Sequence, residues 1–419
     1  MAVVTRLTGD LEAAEDAVQD ACALALAKWP AEGVPSSPGG WLAGVARHKA
    51  LDRLRREARR AEKEMAAFRR EPAPPAGEPG LGEPGLAPGE TGLALGEPGA
   101  AGDRLGPADD ELALIFMCCH PALDPDARIA LTLRCVCGLP TAEIAAAFLV
   151  PEPTMAQRLV RAKRKIRMAG IRLRLPERED LPQRLAAVLR VGYLVYTQGH
   201  TAPAGPDLVR EDLCDQAIRL ARALTALLPG EPEAAGLLAL MLLTDARRAA
   251  RTGDAGELVL LSDQDRGRWD RAKIAEGDAL LERALRAGRP GPYQLHAAIA
   301  ACHSCAPSAE QTDWREIAAL YGELLRYEPT AVTEANRAVA VAMAEGPAAG
   351  LAILDNLGEH PRLATWPQFH IARAALLRQT GRHGDAAAAY RAALRLGLSE
   401  PQRAFIERQL AGVSRGRRS

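Results

Sequence analysis

The sequence contains no apolar run of membrane-spanning length, and its N-terminus lacks the charged, apolar and cleavable regions of a secretory signal. These absences predict a cytoplasmic protein that has no membrane partner. In that compartment the eight cysteines would stay reduced. The cysteines also lack the paired CxxC arrangement of zinc sites, so we expect small core residues at these positions and no metal site.

The sequence has no net charge, because 53 lysines and arginines balance 53 aspartates and glutamates. A neutral chain offers no overall electrostatic attraction to DNA. Its basic residues are instead concentrated in two segments, 47–70 and 158–178. Any contact with nucleic acid is therefore local, or it depends on a partner that contributes most of the affinity.

Motifs of catalysis are missing as well, since there is no Gly-rich phosphate loop, no nucleophile motif and no His/carboxylate metal pattern. Polar residues do cluster in the C-terminal half of the chain: Asp212, Asp215, Arg219, Asp245, Arg247, Asp265, Trp269, Asp270 and Arg271. Such clusters are more typical of interhelical salt bridges and helix caps than of an active site. We predict no catalytic residue and no cofactor.

The segment TAEIAAAFLVPEPTMAQRLVRAKRKIR, residues 141–167, indicates a helix-turn-helix. Thr141 can cap a short helix, and Pro151 and Pro153 favour the start of a second one. From residue 154 to 174 this second segment has eight basic residues and no acidic one, while Met155 and Leu159 belong to an apolar stripe at spacings of three and four. A one-signed basic face of this length predicts contact with nucleic acid. An apolar helix at 126–138 would complete a three-helix DNA-binding unit.

Residues 10–70 form an earlier helical block. Asp10 can cap a helix with an apolar face and an acidic face, and this helix is followed by the loop GVPSSPGG. A second helix, from about Trp41 to Arg60, has apolar residues on one side and basic residues on the other. The block is therefore predicted to expose one acidic and one basic helix face.

Residues 71–107 contain GEPG three times among Pro, Gly, Ala and Glu. This composition cannot bury enough apolar surface to offset the entropy of ordering, so the segment is predicted to be a disordered, acidic linker.

From about Leu181 to the end, apolar-periodic runs alternate with short Gly/Pro turns. Tyr321, Leu354 and Tyr390 recur at intervals close to the length of a tetratricopeptide repeat, which predicts a tetratricopeptide-like extension. The stretch 256–271, GELVLLSDQDRGRWDR, interrupts the helical rhythm and is expected to be partly extended.

Segments 14–30, 38–57, 109–123 and 141–167 together resemble bacterial RNA polymerase sigma factors of the extracytoplasmic-function (ECF) group. The chain most closely resembles the subgroup with a C-terminal tetratricopeptide-like extension. The resemblance implies an all-α protein with sigma region 2 at 1–70, a flexible linker at 71–107, the region 4 helix-turn-helix at 108–178 and the helical-repeat extension at 181–419. It also indicates that the opening helix of region 2 is shortened.

The resemblance implies a promoter-specificity subunit that directs polymerase to −35 and −10 elements. Its partners would be the β′ clamp and β flap of core RNA polymerase, promoter DNA, and a protein or peptide bound by the extension. The polymerase-docking helix would present Glu15, Asp16, Gln19 and Asp20. The −10 element would meet Arg47, His48, Lys49, Arg53, Arg55 and Arg56. Bases of the −35 element would meet Thr154, Gln157, Arg158 and Arg161, and its phosphates Lys163, Arg164, Lys165 and Arg167.

Two other functions remain open. One is a helix-turn-helix repressor or tetratricopeptide scaffold that does not bind polymerase. Such a protein does not require a segment like residues 14–57, which argues against this alternative. The other is an enzyme within the helical extension, which the missing motifs disfavour.

Overall fold

In a computed structural model the chain is all-α, as the sequence predicts. The structure describes residues 1–68, 107–148, 150–177, 179–202, 205–358 and 360–415. Within these ranges the only extended pairing is an isolated antiparallel bridge between Thr252 and Leu258. Apart from Pro107, the predicted linker lies outside the described residues.

Seven helices precede the extension in the described part of the chain. They are α1 (Ala2–Thr8), α2 (Leu11–Glu32), α3 (Pro38–Phe68), α4 (Pro107–Cys118), α5 (Pro125–Cys135), α6 (Thr141–Ala147) and α7 (Glu152–Met168). The cap that the sequence predicts for α2 is present, because the Asp10 carboxylate accepts a hydrogen bond from the backbone N–H of Glu12 at 2.8 Å.

The extension is also mainly helical in its described residues. It consists of α8 (Leu181–His200), α9 (Glu211–Leu227), α10 (Pro232–Asp245), α11 (Arg271–Arg286), α12 (Pro292–Ser304), α13 (Trp314–Leu324), α14 (Ala331–Glu345), α15 (Pro347–Asn356), α16 (Pro361–Ala364), α17 (Pro367–Gln379), α18 (His383–Leu394) and α19 (Glu400–Arg415). Between α10 and α11 the helical rhythm breaks, as expected, into three short 3-10 turns at Arg248–Ala250, Leu261–Asp263 and Arg266–Arg268.

The chain divides into two compact units. The first unit consists of Met1–Met117 and Lys163–Leu175, and the second of Cys118–Ala162 and Pro176–Ser419. Most of the helix-turn-helix therefore belongs to the same unit as the extension, whereas the last turns of α7 belong to the first unit. The domain limits implied by the resemblance stay a prediction.

Alanines form the core of the first unit. Ala14, Ala17 and Ala21 of α2 are buried together with Ala46 and Ala50 of α3. Side chains this small let two helices approach closely. Most acidic residues of α2 and most basic residues of α3 lie outside this core and are exposed, whereas Glu15 is half-buried.

The core of the second unit contains a helix that is apolar on all sides. Nearly every residue of α10 is buried, which is typical of a helix surrounded by others. At Gly236 the backbone of α12 approaches so closely that a Cβ would lie 2.8 Å from the backbone nitrogen of Gln294. Leu354 and Tyr390, two of the periodic residues in the sequence, are buried in one cluster built from α14 to α19. Repeats of the tetratricopeptide type stay a prediction.

No helix in the described part of the chain is long and apolar enough to cross a membrane.

Candidate nucleic-acid interface

Helix α7 has the two faces that its sequence predicts. Met155, Leu159, Ala162 and Ile166 are buried, and the residues between them point to solvent. The carbonyl oxygen of Pro151 accepts hydrogen bonds from the first N–H groups of the helix. The helix ends at Met168, before Gly170 at φ +61°, so the basic run extends beyond the helix by two arginines, Arg172 and Arg174.

The first half of α7 lies in the second unit and exposes the residues predicted to read −35 bases. Thr154, Gln157, Arg158 and Arg161 are all exposed, and the described residues place no carboxylate in ion-pair distance of either arginine. Val160 lies among them with 61% of its surface exposed. It is not one of the residues predicted from the sequence to contact DNA. An apolar residue on an otherwise polar helix face is the feature of the sequence that could have indicated this exposed position.

The second half of α7 lies in the first unit, where two of its cations contact the acidic helix α2. Lys163 Nζ forms an ion pair with Glu15, and both side chains are largely buried. Arg167 Nε lies 2.8 Å from a carboxylate oxygen of Asp10, and another of its nitrogens pairs with Glu12. Arg164 and Lys165 remain exposed. Of the four predicted phosphate contacts, two are therefore paired with carboxylates, Lys163 and Arg167, and two are exposed, Arg164 and Lys165.

Helix α3 presents its basic residues to solvent. Arg47, His48 and Lys49 are exposed, and His48 Nδ1 lies 3.1 Å from the carbonyl oxygen of Gly44. Arg55 and Arg56, about two helical turns further on, are exposed as well, and both interact with Asp52 of the same helix. The predicted −10 residues thus share one helix, whose exposed side is suited to a phosphate backbone.

A groove of about 530 Å³ separates the basic face of α3 from the acidic face of α2. Lys49 and Arg53 line it from α3, and Asp16 and Asp20 line it from α2. Arg53 crosses the groove, since its Nη1 lies 2.6 Å from a carboxylate oxygen of Asp16. Gln19 is exposed nearby. Two surfaces that the sequence assigns to different partners therefore meet at one groove.

The helix-turn-helix is bound to the extension within the second unit. Gln216 Nε2 of α9 donates a hydrogen bond to the carbonyl oxygen of Val136 at 3.0 Å. Arg210 forms an ion pair with Glu143 of α6. No local sequence pattern indicates these contacts, because the paired residues lie 67 and 80 positions apart. They connect the extension to α6 and to the residue that follows α5.

The cysteine and histidine groups of the sequence form no metal site in the described residues. Cys118, Cys119 and Cys135 are buried. Burial raises the pKa of the Cys119 thiol to about 12, so this thiol stays protonated. Protonated, buried thiols behave as small apolar core residues, as expected from the sequence. The expectation is wrong for Cys22 and Cys305, which are exposed, and Cys137 and Cys302 are only half-buried.

The polar cluster in the extension consists largely of ion pairs and caps. Asp245 is fully buried and lies 2.7 Å from both Arg248 and Lys273. Arg248 also pairs with Asp215, and Asp270 caps α11 through the backbone N–H groups of Ala272 and Lys273. These contacts are the interhelical salt bridges and helix caps that the sequence predicts. Arg247 and Trp269 take no part in them.

His303 makes the stability of the extension depend on pH. Burial, and then the guanidinium groups of Arg247 and Arg266, lower the pKa of His303 to about 4. An unfolded histidine titrates near 6.5, so between these two values the unfolded chain binds a proton that the native chain does not. Stability is therefore expected to fall as pH falls through this range, by about 2 to 3 kcal/mol at pH 4.5 for this group. Urea unfolding of wild type and His303→Gln at several pH values measures the difference.

An exposed histidine provides the control for this experiment. The variant His48→Gln should keep the acid sensitivity of the wild type, because His48 is on the surface of α3. If His303→Gln also kept the full loss of stability at acid pH, the titration of His303 would not be the source of that loss.

Three family models match this chain. "Sigma-70 region 2" matches residues 1–60, "Sigma-70, region 4" matches residues 113–166, and a family of unknown function, DUF6596, matches residues 184–285. A relative, an uncharacterized protein of Rhizobium meliloti (strain 1021), is 43% identical over 410 residues, which are 98% of this chain and 92% of that protein. No solved structure matches the chain.

Proposed function

The chain belongs to the sigma-70 family, as an ECF-like sigma factor with a C-terminal helical extension, and we propose from this premise which of its surfaces meet DNA and polymerase. As a sigma factor it directs RNA polymerase to promoters, and its partners are the core enzyme and promoter DNA. The proposal rests on one observation: each of the two matched sigma segments contains one helix with an exposed basic face, α3 in the first and α7 in the second.

We propose that α7 enters the major groove of the −35 element with its N-terminal half. Thr154, Gln157, Arg158 and Arg161 lie near the start of the helix, where base edges come within reach of a recognition helix. Val160 would provide an apolar contact for a thymine methyl group, because it is exposed on the same half of the helix. Lys163, Arg164, Lys165 and Arg167 would hold phosphates.

The variants Arg158→Ala and Lys165→Ala are expected to separate base reading from phosphate contact. Arg158→Ala should cost about 1–3 kcal/mol and relax the preference at one −35 base pair, because a bidentate arginine contact is specific for its base. Lys165→Ala should weaken all promoters alike and reduce the salt slope by about one unit. Run-off transcription with core polymerase on promoters altered one base pair at a time, beginning with the promoter of the protein's own operon, measures both effects.

Arg158 and Lys165 serve as matched controls for each other, because both are exposed cations of the same helix. Equal losses on every promoter in both variants would reduce Arg158 to a phosphate contact. Failure of the wild-type protein to support run-off transcription would contradict the whole assignment.

We propose that α3 meets the −10 element through Arg47, His48, Lys49, Arg53, Arg55 and Arg56. The neighbouring acidic face of α2, with Glu15, Asp16, Gln19 and Asp20, would dock on the β′ clamp, and the region 4 helices would contact the β flap. The support is the exposure of most of these residues together with their place in the matched segments. Glu15 and Asp16 are engaged by Lys163 and Arg53, so docking would have to replace these ion pairs.

For the extension we propose a regulatory role that acts through region 4. The hydrogen bond from Gln216 to Val136 and the ion pair between Arg210 and Glu143 support this role, since both connect α9 or its start to the helix-turn-helix. A partner protein or peptide that bound the extension could change promoter recognition by favouring or opposing this contact. The role is non-enzymatic and cytoplasmic, where transcription takes place, and requires no cofactor.

A further inference from the structure

Three arginines of the extension lie in the segment that joins α10 to α11, and they are close enough together that, in addition to burial, the charges of two of them lower the pKa of the third. We call them the arginine cluster. They are Arg247, Arg251 and Arg266. Arg251 donates to the carbonyl oxygen of His200 and to Thr201 Oγ1 at 3.3 Å. Arg266 Nη1 donates to the carbonyl oxygens of His303 and Ala306, at 2.9 and 2.7 Å. These two arginines therefore hold backbone carbonyls in place.

Arg247 has no such structural contact. Its Nε atom is enclosed by protein and makes no hydrogen bond to it, and the described residues accept no hydrogen bond from its other nitrogens. The side chain as a whole keeps partial exposure, so its guanidinium remains within reach of a solute. An enclosed guanidinium nitrogen with no partner is costly, and native proteins satisfy nearly all buried polar atoms.

The arginine cluster is not neutralised by nearby carboxylates. The described residues place no aspartate or glutamate in ion-pair distance of any of its three members. Asp245, the buried carboxylate closest in the chain, is already engaged by Arg248 and Lys273, and it attracts Arg251 only at longer range. Glu310, which attracts Arg266 at longer range, is on the surface. The cluster thus has a surplus of positive charge.

Two neutral histidines and further hydrogen-bond donors lie next to the cluster. His200 and His303 both have a pKa below the usual range, because burial and the nearby arginines disfavour their charged forms. The Arg266 guanidinium lies 4.3 Å from the centre of the Trp269 ring. Trp269 Nε1 and His303 Nδ1 are enclosed and have no hydrogen-bond partner in the protein. A neutral, donor-rich surrounding strengthens the attraction of the cluster for an anion.

We propose that the arginine cluster is a binding site for a small-molecule oxyanion, a phosphate or a carboxylate, with Arg247 as its main ligand. A guanidinium group offers parallel N–H donors that match the oxygens of both groups, and it binds them more strongly than it binds a halide. All three arginines lie in the DUF6596 segment, so this segment would be the part of the chain that binds the oxyanion. This inference goes beyond the sigma function and does not depend on it.

Thermal unfolding of the full-length protein with inorganic phosphate, acetate or chloride at equal ionic strength tests the proposal. Phosphate, acetate or both should raise the melting temperature in a saturable manner above the chloride control, and the difference between them identifies the anion class. Arg247→Gln should weaken the apparent affinity at least about tenfold, as expected for the loss of a charge-assisted hydrogen bond. Arg268→Gln removes the same charge from an exposed position in the same segment and should retain wild-type affinity.

The stability of the Arg247 variants separates a ligand-binding residue from a structural one. In chloride, Arg247→Gln should be at least as stable as wild type, because it removes an uncompensated enclosed charge. Arg247→Lys should keep part of the phosphate effect and lose more of the acetate effect, since it lacks the planar fork. The proposal is overturned if neither anion exceeds chloride, if Arg268→Gln loses as much affinity as Arg247→Gln, or if both Arg247 variants fail to fold. No polymerase takes part, so these outcomes leave the sigma assignment unaffected.

Discussion

Core RNA polymerase is expected to increase the affinity of this protein for promoter DNA by at least about 100-fold over the free protein. The chain has no net charge, so long-range attraction to DNA is absent. In the first unit, moreover, Lys163 and Arg167 of α7 are paired with carboxylates of α2. Two predicted phosphate contacts are therefore occupied unless those pairs open. Titration of labelled promoter DNA with and without core enzyme, at several salt concentrations, measures the difference.

A double substitution tests whether these ion pairs restrain DNA binding by the free protein. Glu12→Gln with Glu15→Gln releases Lys163 and weakens the hold on Arg167, while Asp10 is kept because it caps α2. Each cation that becomes available should steepen the dependence of log affinity on log salt by about 0.9, so an increase of about one to two is expected.

The matched control changes the charge without touching α7. Glu32→Gln with Glu62→Gln removes two exposed carboxylates from α2 and α3, and so alters net charge by the same amount. An equal change of salt slope in both double variants would mean that net charge alone is responsible. Nanomolar, sequence-specific binding by the free wild-type protein would instead favour a repressor that acts without polymerase.

Removal of residues 176–419 is expected to lower promoter-specific transcription at least about tenfold at equal protein concentration. Residues 118–162 form one compact unit with the extension. Loss of the extension would leave the Val136 carbonyl without its partner Gln216 and the Glu143 carboxylate without its partner Arg210. A helix-turn-helix that has lost such support presents α7 less precisely to the major groove. Run-off transcription, with circular dichroism to follow folding, measures the effect.

A milder variant distinguishes this support from a general loss of folding. Arg210→Ala with Gln216→Ala removes both contacts in the full-length chain and should reduce −35 recognition a few-fold, while core polymerase binding is retained. The control, Arg222→Ala with Gln379→Ala, removes an exposed arginine that pairs with Glu276 and an exposed glutamine at the end of α17. Wild-type transcription by the truncated protein and by the Arg210 and Gln216 variant would refute the regulatory contact.

The sequence by itself determined the local structure of the DNA-binding helices. The spacing of Met155, Leu159 and Ile166 decides which face of α7 is buried, because a helix repeats every 3.6 residues whatever surrounds it. Asp10 caps α2 as predicted, since capping involves only residues two or three positions away. The all-α fold follows from such local patterns, and the relation to sigma factors from the resemblance of four sequence segments to that family, so the sequence was enough for both.

Only the tertiary structure decided which of these charges meet. Lys163 pairs with Glu15 across 148 positions, and Gln216 with Val136 across 80. Hydrophobic periodicity places a residue on a face but does not say which other face lies opposite, so no local pattern encodes these partners. The same holds for Arg247, which in the sequence is one polar residue among many. It becomes distinct only because the fold encloses its Nε atom and directs the nearby Asp245 to Arg248 and Lys273.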